Sequence, residues 1–375
     1  MQYLNLSLNG FRNYSSAYTE LNPRVNIFIG KNGQGKTNLL EALFLLTQGY
    51  SFRYGENSTF INSNFNEAIL KTKIINQSLE NDLTLQILKS KKNLFLNNKK
   101  ISNQLILNRF PVVIFSPESL AIVKEGDDQR RNLIDQHLSN IDIKNRELIQ
   151  NYKKVLKTRN RVLKDHLQGI RPINETEDLL ESLNATFIEL ATQLTVARIE
   201  NLIKITPELN NAMRFISKTQ NVDILVEYVI SGQDGLNLTS EKIKNIIQNR
   251  CIELHQAELS SGISLVGPQK HDVKFLYNGN DSRFYCSQGQ QRALILSYNM
   301  AQIVYHRTVH GNDPVLMLDD VLSELDSDKR LALISFLKEI KSQIFITTTD
   351  LNLPREIQNR EIAVFNIENS NIEKN

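Results

Sequence analysis

Residues Gly30 to Thr37 read Gly-Lys-Asn-Gly-Gln-Gly-Lys-Thr, a match to G-x-x-x-x-G-K-[ST]. In this pattern the backbone N–H groups of a glycine-rich loop close round phosphates, the lysine reaches the terminal phosphates, and the hydroxyl binds Mg²⁺. The pattern also constrains its flanks, because such a loop works only between a strand and a helix N-terminus aimed at the anion. Both flanks comply. Val25 to Ile29 is a short apolar run of the buried-strand type, and Asn38 to Thr47 carries Leu39, Leu40, Ala42, Leu43, Phe44 and Leu46 at helical density. An α/β fold built round a bound nucleotide is expected, with Lys36 as its catalytic cation and Thr37 as a metal ligand.

Composition removes several other classes. The chain has 375 residues, 41% hydrophobic and 23% charged, a globular mix large enough for two or three domains. Its two cysteines, Cys251 and Cys286, make no disulfide framework, which predicts a cytoplasmic protein. No stretch approaches the ~20 apolar residues of a membrane span, and the first residues lack a secretory pattern. The net charge of +3 neither requires nor excludes nucleic acid, since one face can be basic while the remainder is acidic.

Along the chain, Arg12 stands just upstream of the phosphate loop, either as a nucleotide contact or as a solvated strand-end arginine. Ala68 to Ile75, Leu83 to Leu88 and Asn93 to Leu96 predict a β meander. Its tips carry Lys89, Lys91, Lys92, Lys99 and Lys100, which either meet phosphates or blunt a sheet edge. Val112 to Phe115 is a further strand, closed by Pro117. Helical patterns then dominate over Glu125 to His166, Glu175 to Ile205 and Glu241 to Leu259, punctuated at Gly169 to Asn174 and at Thr206-Pro207. Only Val222 to Ile230 is strand-like within that block. The expectation is an antiparallel helical arm on which Lys153, Lys154, Lys157, Arg161 and Lys164 share one side, as a DNA-tracking stripe or as a solvated face.

After residue 262 sheet character returns, with a hairpin at Val273 to Tyr277 turning at Asn278-Gly279. Ser287-Gln288-Gly289-Gln290-Gln291-Arg292 then places a capping serine and a glycine at a helix start, a second anion-accepting helix end. Pro314 to Asp320 is an apolar strand ending in two carboxylates. Asp319 is assigned to Mg²⁺ through its water shell, and Asp320 to orienting or deprotonating the attacking water. Ser323-Glu324-Leu325-Asp326 follows, and a last strand ends in Thr347-Thr348-Thr349-Asp350, either to set a hydroxyl near the γ-phosphate or simply as good strand material.

Phosphate loop, Ser-x-Gly-Gln helix start, Asp-Asp strand and Ser-x-x-Asp together resemble the ABC-type ATPase head. The phosphate loop ends at Thr37 and the signature starts at Ser287, with a helical block between them. That spacing is unlike a transporter subunit and similar to the SMC-like DNA-repair ATPases. Within this group Phe11-Arg12-Asn13-Tyr14, Gly30 to Leu40, Phe115-Ser116-Pro117-Glu118, Arg130-Arg131-Asn132-Leu133-Ile134-Asp135, Ser287 to Arg292 and Leu318-Asp319-Asp320-Val321 all resemble the RecF family. Three positions depart from common patterns: Gly267-Pro268-Gln269-Lys270-His271-Asp272 replaces the family's Gly-Pro-His-Arg-Asp-Asp, Thr348 stands where many ABC ATPases carry histidine, and Asp320 where most carry glutamate.

The resemblance implies an α/β ABC-type head, a mixed sheet plus an antiparallel meander round a P-loop core, with a helical lobe inserted before the signature. On this basis residues 1–117 and 262–375 form the head and 118–261 the lobe. ATP would be held by Gly30, Lys31, Asn32, Gly33, Gln34, Gly35, Lys36, Thr37, Asn38 and Arg12, and by Ser287, Gly289 and Gln290 of a second copy. Mg²⁺ would sit on Thr37 and Asp319, with Asp320 and Lys36 catalytic. Implied partners are double-stranded DNA and its junctions with single strands, an ATP-dependent homodimer, RecR and RecO, and RecA indirectly, in recombinational repair and the SOS response. Weak DNA-stimulated hydrolysis is expected, the rivals being an ATP-gated binder with negligible hydrolysis and a transporter subunit.

Overall fold

The structure, a computed structural model, describes residues 1–53, 55–76, 79–101, 110–117, 119, 122, 124, 126–349 and 361–374. Glu118, Glu125 and Asp350 of the segments named above lie outside them. The chain divides into two compact units, one of Met1–Ala121, Asn211–Asn221 and Ser287–Asn375, the other of Ile122–Asn210 and Val222–Cys286.

The first unit has two sheets among the described residues. One orders Asn371–Lys374, Ile362–Glu368, Val25–Ile29, Ile344–Thr348, Val315–Asp319 and Val112–Phe115, parallel except for the first pair. Val25–Ile29, Val315–Asp319 and Ile344–Thr348 are buried along their whole length, which is why they read as apolar runs and not as alternation. Register aligns their C-terminal ends, with Ile29 opposite Thr348 and Thr347 opposite Asp319. Gly30 and Asp320 therefore leave the sheet at one edge, the edge at which parallel α/β sheets bind ligands.

The other sheet is the predicted meander, antiparallel in the order Tyr14–Glu20, Asn5–Phe11, Glu67–Asn76, Leu79–Leu88, Lys92–Leu96 and Lys99–Ile101, with Gln2–Tyr3 also on Glu67–Asn76. Leu83, Leu85 and Ile87 alternate into the core, as a half-buried strand requires. Helix Lys36–Gln48 packs against strands of both sheets. It is apolar on nearly every side because no side of it faces water, Leu39 to Leu46 all being buried.

The second unit is helical, with a small antiparallel sheet. Helices Ile143–Leu167 and Ile173–Ser217 run antiparallel, as shown by Tyr152 against Phe187 and Arg159 against Asn184, which matches the expected arm. Three expectations need correction. The run from Glu125 to His166 is two helices, Asp127–Ile141 and Ile143–Leu167, because the Asp142 carboxylate accepts from Lys144 N–H at 2.9 Å and caps a new helix. Thr206-Pro207 does not end a helix, since Ile173–Ser217 continues through it. Leu202, Ile205, Leu209 and Met213 are fully buried round the proline, and that packing offsets the ~3 kcal/mol such a proline costs. The carbonyl deprived of its amide partner belongs to solvent-facing Ile203.

The third correction moves a boundary from 262 to 287. Asp272–Tyr277 pairs with Ile224–Ile230 of the helical unit and not with the head, so the returning β character belongs to the lobe. This pairing joins two motifs far apart in sequence. Arg198 forks onto Asp135 at 2.8 and 3.0 Å and donates to the Pro268 carbonyl at 2.7 Å; Arg130 binds Asp272 at 2.8 Å; Arg131 donates to the His271 carbonyl at 2.6 Å. Arg130 to Asp135 and Gly267 to Asp272 are thus one buried ionic cluster. Gln269, at the family's histidine position, accepts from the Tyr152 hydroxyl and donates to the Val266 carbonyl at 2.7 Å.

Candidate nucleotide site

The phosphate loop is fixed from behind. Gly35 has φ 112°, and a Cβ there would stand 2.6 Å from Asn13 Nδ2 and 2.7 Å from the Tyr14 hydroxyl, so no side chain fits. Those two neighbours hold the loop: Asn13 Nδ2 donates to the Gln34 carbonyl at 3.1 Å and the Tyr14 hydroxyl to the Gly35 carbonyl at 3.2 Å. Asn369 N–H donates to Gln34 Oε1 at 2.6 Å, and Asn38 Nδ2 to Asn13 Oδ1 at 2.7 Å. Lys31, Asn32 and Gly33 remain exposed at the rim.

Lys36 lies along the loop, its ammonium donating to the Gly30 carbonyl at 2.7 Å and the Lys31 carbonyl at 3.0 Å. Burial lowers its pKa, while the charges of Asp320 and Asp319 pull it back up. The lysine is thus in electrostatic reach of both predicted carboxylates. Thr37 donates from Oγ1 to Asp319 Oδ1 at 2.8 Å, across 282 positions of sequence.

A third residue completes the group. Thr347 Oγ1 donates to the same Asp319 Oδ1 at 2.8 Å and accepts from the Asp320 N–H at 2.9 Å. The threonine run allows either a hydroxyl near the γ-phosphate or plain strand material; Thr347 turns its hydroxyl onto the acid of the neighbouring strand. Asp320 follows in the left-handed region at φ 50°, and its Oδ1 is buried with no hydrogen-bond partner. That oxygen is an acceptor available to a water.

These donors fit Mg²⁺, which takes few protein ligands, prefers hard oxygens and keeps much of its shell as water and phosphate. Thr37 and Asp319 supply one hydroxyl and one carboxylate. Among the described residues no group of three or more His, Cys, Asp or Glu side chains is placed to hold a metal.

Arg12 is committed elsewhere. It forks onto Glu41 at 2.9 and 2.8 Å, donates to the Thr59 carbonyl at 3.0 Å and stacks 4.8 Å from the Phe60 ring. Glu41 lies fully buried in the phosphate-loop helix and needs a cation to neutralise it. Of the two readings of Arg12, the solvated strand end gives way: the side chain is a brace on the helix that carries the loop.

Ser287 caps helix Gln288–His310 through a capping box: Gln290 N–H donates to Ser287 Oγ at 3.2 Å, and Ser287 N–H to Gln290 Oε1 at 2.8 Å. Gln290 is thereby used within its own turn, while Ser287 and Gln288 are exposed. Arg292 donates to the Glu324 carbonyl at 2.8 Å and pairs with its carboxylate at 2.7 Å, tying the signature helix to Ser323 to Asp326. Asp326 in turn caps helix Ser327–Glu339 by accepting from Lys329 N–H at 3.0 Å. The structure thus gathers Gly30 to Thr37, Asp319 and Asp320 into one site, and places Ser287, Gly289 and Arg292 at a second helix start, where Ser287 is exposed and Gly289 and Arg292 are half-buried. Sequence reasoning missed Thr347 as a partner of Asp319, and Asn13 and Tyr14 as supports. Their signals were the threonine run and the Phe11 to Tyr14 stretch.

A family model for the RecF/RecN/SMC N terminal domain matches residues 3–373. The chain is 34% identical over 371 residues to the DNA replication and repair protein RecF of Halothermothrix orenii, covering 96% of each. Two solved structures of a recombination mediator protein of the RecFOR pathway are similar along nearly the whole chain. RecF-ATPrS has a TM-score of 0.86 at 29% identity, covering 99% of this chain and 97% of that one. RecF-ATP has a TM-score of 0.85 at 30% identity, covering 100% and 97%.

Proposed function

This chain belongs to the RecF/RecN/SMC family and, within it, to the RecF DNA replication and repair proteins, and on that premise we propose that it is an ATP-driven DNA clamp. Nucleotide occupies Gly30 to Asn38, with Lys36 on the β- and γ-phosphates and Mg²⁺ on Thr37 and Asp319. Bound Mg²⁺ neutralises phosphate charge. Asp320 orients the attacking water through its unpartnered Oδ1. Ser287 and Gly289 of a second copy approach the γ-phosphate, because an exposed helix start carries partial positive charge that a terminal phosphate complements. Binding ATP therefore joins two heads, and losing the γ-phosphate removes that contact.

The observation that supports this reading is the Thr37–Asp319–Thr347 hydroxyl–carboxylate cluster, whose hard oxygens suit Mg²⁺ and in which Thr37 itself belongs to the phosphate loop. The clamp engages double-stranded DNA near single-strand gaps, works with RecR and RecO, and thereby helps RecA to load. Hydrolysis is DNA-stimulated, and it is slow because Asp320 is one methylene shorter than glutamate and stands farther from the water it orients. Lys36→Ala should abolish ATP binding in calorimetry while leaving the fold intact by circular dichroism. ATP affinity unchanged in that variant would refute the site. Single-turnover hydrolysis with and without DNA separates this ATPase from an ATP-gated binder.

A further inference from the structure

Two groups of lysines stood open as DNA contacts, and the structure separates them. On the meander, Lys92 lies over the Phe60 ring at 4.7 Å, and burial lowers its pKa. It packs as a hydrophobic stem with a cation–π head, which leaves Lys89, Lys91, Lys99 and Lys100 scattered on exposed sheet tips. On helix Ile143–Leu167 the arrangement is ordered. Tyr152, Arg159, Val162 and Leu163 form its buried side, and at 100° per residue Lys153, Lys154, Lys157, Arg161 and Lys164 fall on the opposite side, all exposed.

What sets this face apart in the second unit is that five cations share it. Lys204 pairs with Glu200, Lys244 with Glu189, Arg250 with Glu253 and Arg171 with Glu175, while Lys144, Lys242 and Lys270 are exposed without an acid within 4.0 Å among the described residues but do not belong to the stripe. Among the described residues, Lys153, Lys154, Lys157 and Lys164 have no acid within 4.0 Å, and Arg161 only reaches Asp165 at 3.9 Å. The uncompensated charges sit on a rigid helix anchored by a buried Arg159–Glu258 pair at 2.7 Å. From residue 153 to 164 the axis rises about 16 Å, over which one strand of a B-form duplex carries about five phosphates.

We propose that the Lys153, Lys154, Lys157, Arg161 and Lys164 face of helix Ile143–Leu167 is the duplex-DNA backbone contact of this protein, and that the meander lysines are not. The assignment rests on the clamp reading above and narrows it to a surface. It is a non-specific contact: the side chains are point charges without a planar fork at four of five positions, so they read phosphate spacing and not base edges.

The test uses the full chain, fluorescence anisotropy of a labelled blunt duplex, a gapped duplex and the single strand, with ATP and Mg²⁺, between about 50 and 200 mM salt. Lys153→Gln/Lys157→Gln/Lys164→Gln should weaken duplex binding equally for all sequences and lower the slope of log K against log salt by roughly 2 to 3, at about 0.9 per lost contact. Lys89→Gln/Lys91→Gln/Lys99→Gln should leave the slope unchanged. Arginine at the three stripe positions should restore it. A triple stripe variant with wild-type slope overturns the assignment, as does an equal loss from the meander variant or a preference of the stripe for single strands over duplex. If wild-type protein binds no duplex at all, the clamp reading fails and the stripe with it; wild-type binding untouched by the stripe variant sinks the stripe alone.

Discussion

Replacing Thr347 by valine keeps its volume and β-branching in a strand that is buried throughout, so the change isolates one hydroxyl. That hydroxyl makes two bonds, to Asp319 Oδ1 at 2.8 Å and from the Asp320 N–H at 2.9 Å. A hydrogen bond to a charged group contributes about 1.5–3 kcal/mol, and a buried N–H left unpaired costs about 1–3 kcal/mol. Thr37 still donates to Asp319, and the added methyl recovers part of the loss, so a net destabilisation of about 2–4 kcal/mol is expected. The chain has no tryptophan, which makes far-ultraviolet circular dichroism in urea the natural readout. Function should show a second signature. Groups that orient a metal ligand are worth about 10–100-fold in metal affinity, so Thr347→Val should lose ATP affinity with Mg²⁺ present and not without it. Thr347→Ser should restore both. Wild-type stability in Thr347→Val, or a loss of ATP affinity independent of Mg²⁺, would refute the argument that this threonine orients Asp319.

Other perturbations test other parts of the molecule. Ser287→Arg should leave ATP binding intact and abolish ATP-dependent dimerisation, read by light scattering; a normal dimer would sink the trans arrangement. Arg198→Met strands the carboxylate of Asp135 in the interior and should cost about 3–5 kcal/mol in urea unfolding, with Asp135→Asn/Arg198→Met less destabilised than the sum of the singles. Burial pushes His271 down to about 3 and His306 down to about 4, so both are neutral when folded and take up protons on unfolding below about 6.5. Their stabilisation is complete above about pH 6.5 and is lost as pH falls through 6 towards 4, each histidine adding a slope of about 1.4 kcal/mol per pH unit. His271→Gln/His306→Gln should flatten urea midpoints over that range, and an unchanged slope would count against their neutral burial.

What the sequence revealed was local. The phosphate loop, the apolar strand ending in Asp319 and Asp320, and the serine cap at Ser287 are each defined within a few residues, because backbone conformation and capping are decided at that range. Partner choice is not. Val273 to Tyr277 was legible as a strand, but its mate Ile224–Ile230 lies on the far side of two helices, so periodicity could not assign it to the lobe. Pro207 looked like a stop because propensity was the only visible term, whereas four buried apolar neighbours decide its fate. Arg12 was ambiguous for the same reason: the acid that claims it sits 29 positions away, within the otherwise apolar stretch Leu39 to Leu46. Asp142 was a local signal passed over, a capping residue inside an otherwise continuous helical pattern.

The strand order of the head also sets a timetable for synthesis. Val25–Ile29 finds its two neighbours only at Ile344–Thr348 and Ile362–Glu368, and Val112–Phe115 waits for Val315–Asp319. A nascent chain therefore carries the phosphate-loop strand unpaired, and the apolar helix behind it incompletely covered, until the strands Ile344–Thr348 and Ile362–Glu368 have been made. The lobe needs nothing beyond Cys286 and can close while the head is still waiting. Such long-range closure is slow, and until it happens the apolar face of the phosphate-loop strand stays without its sheet neighbours.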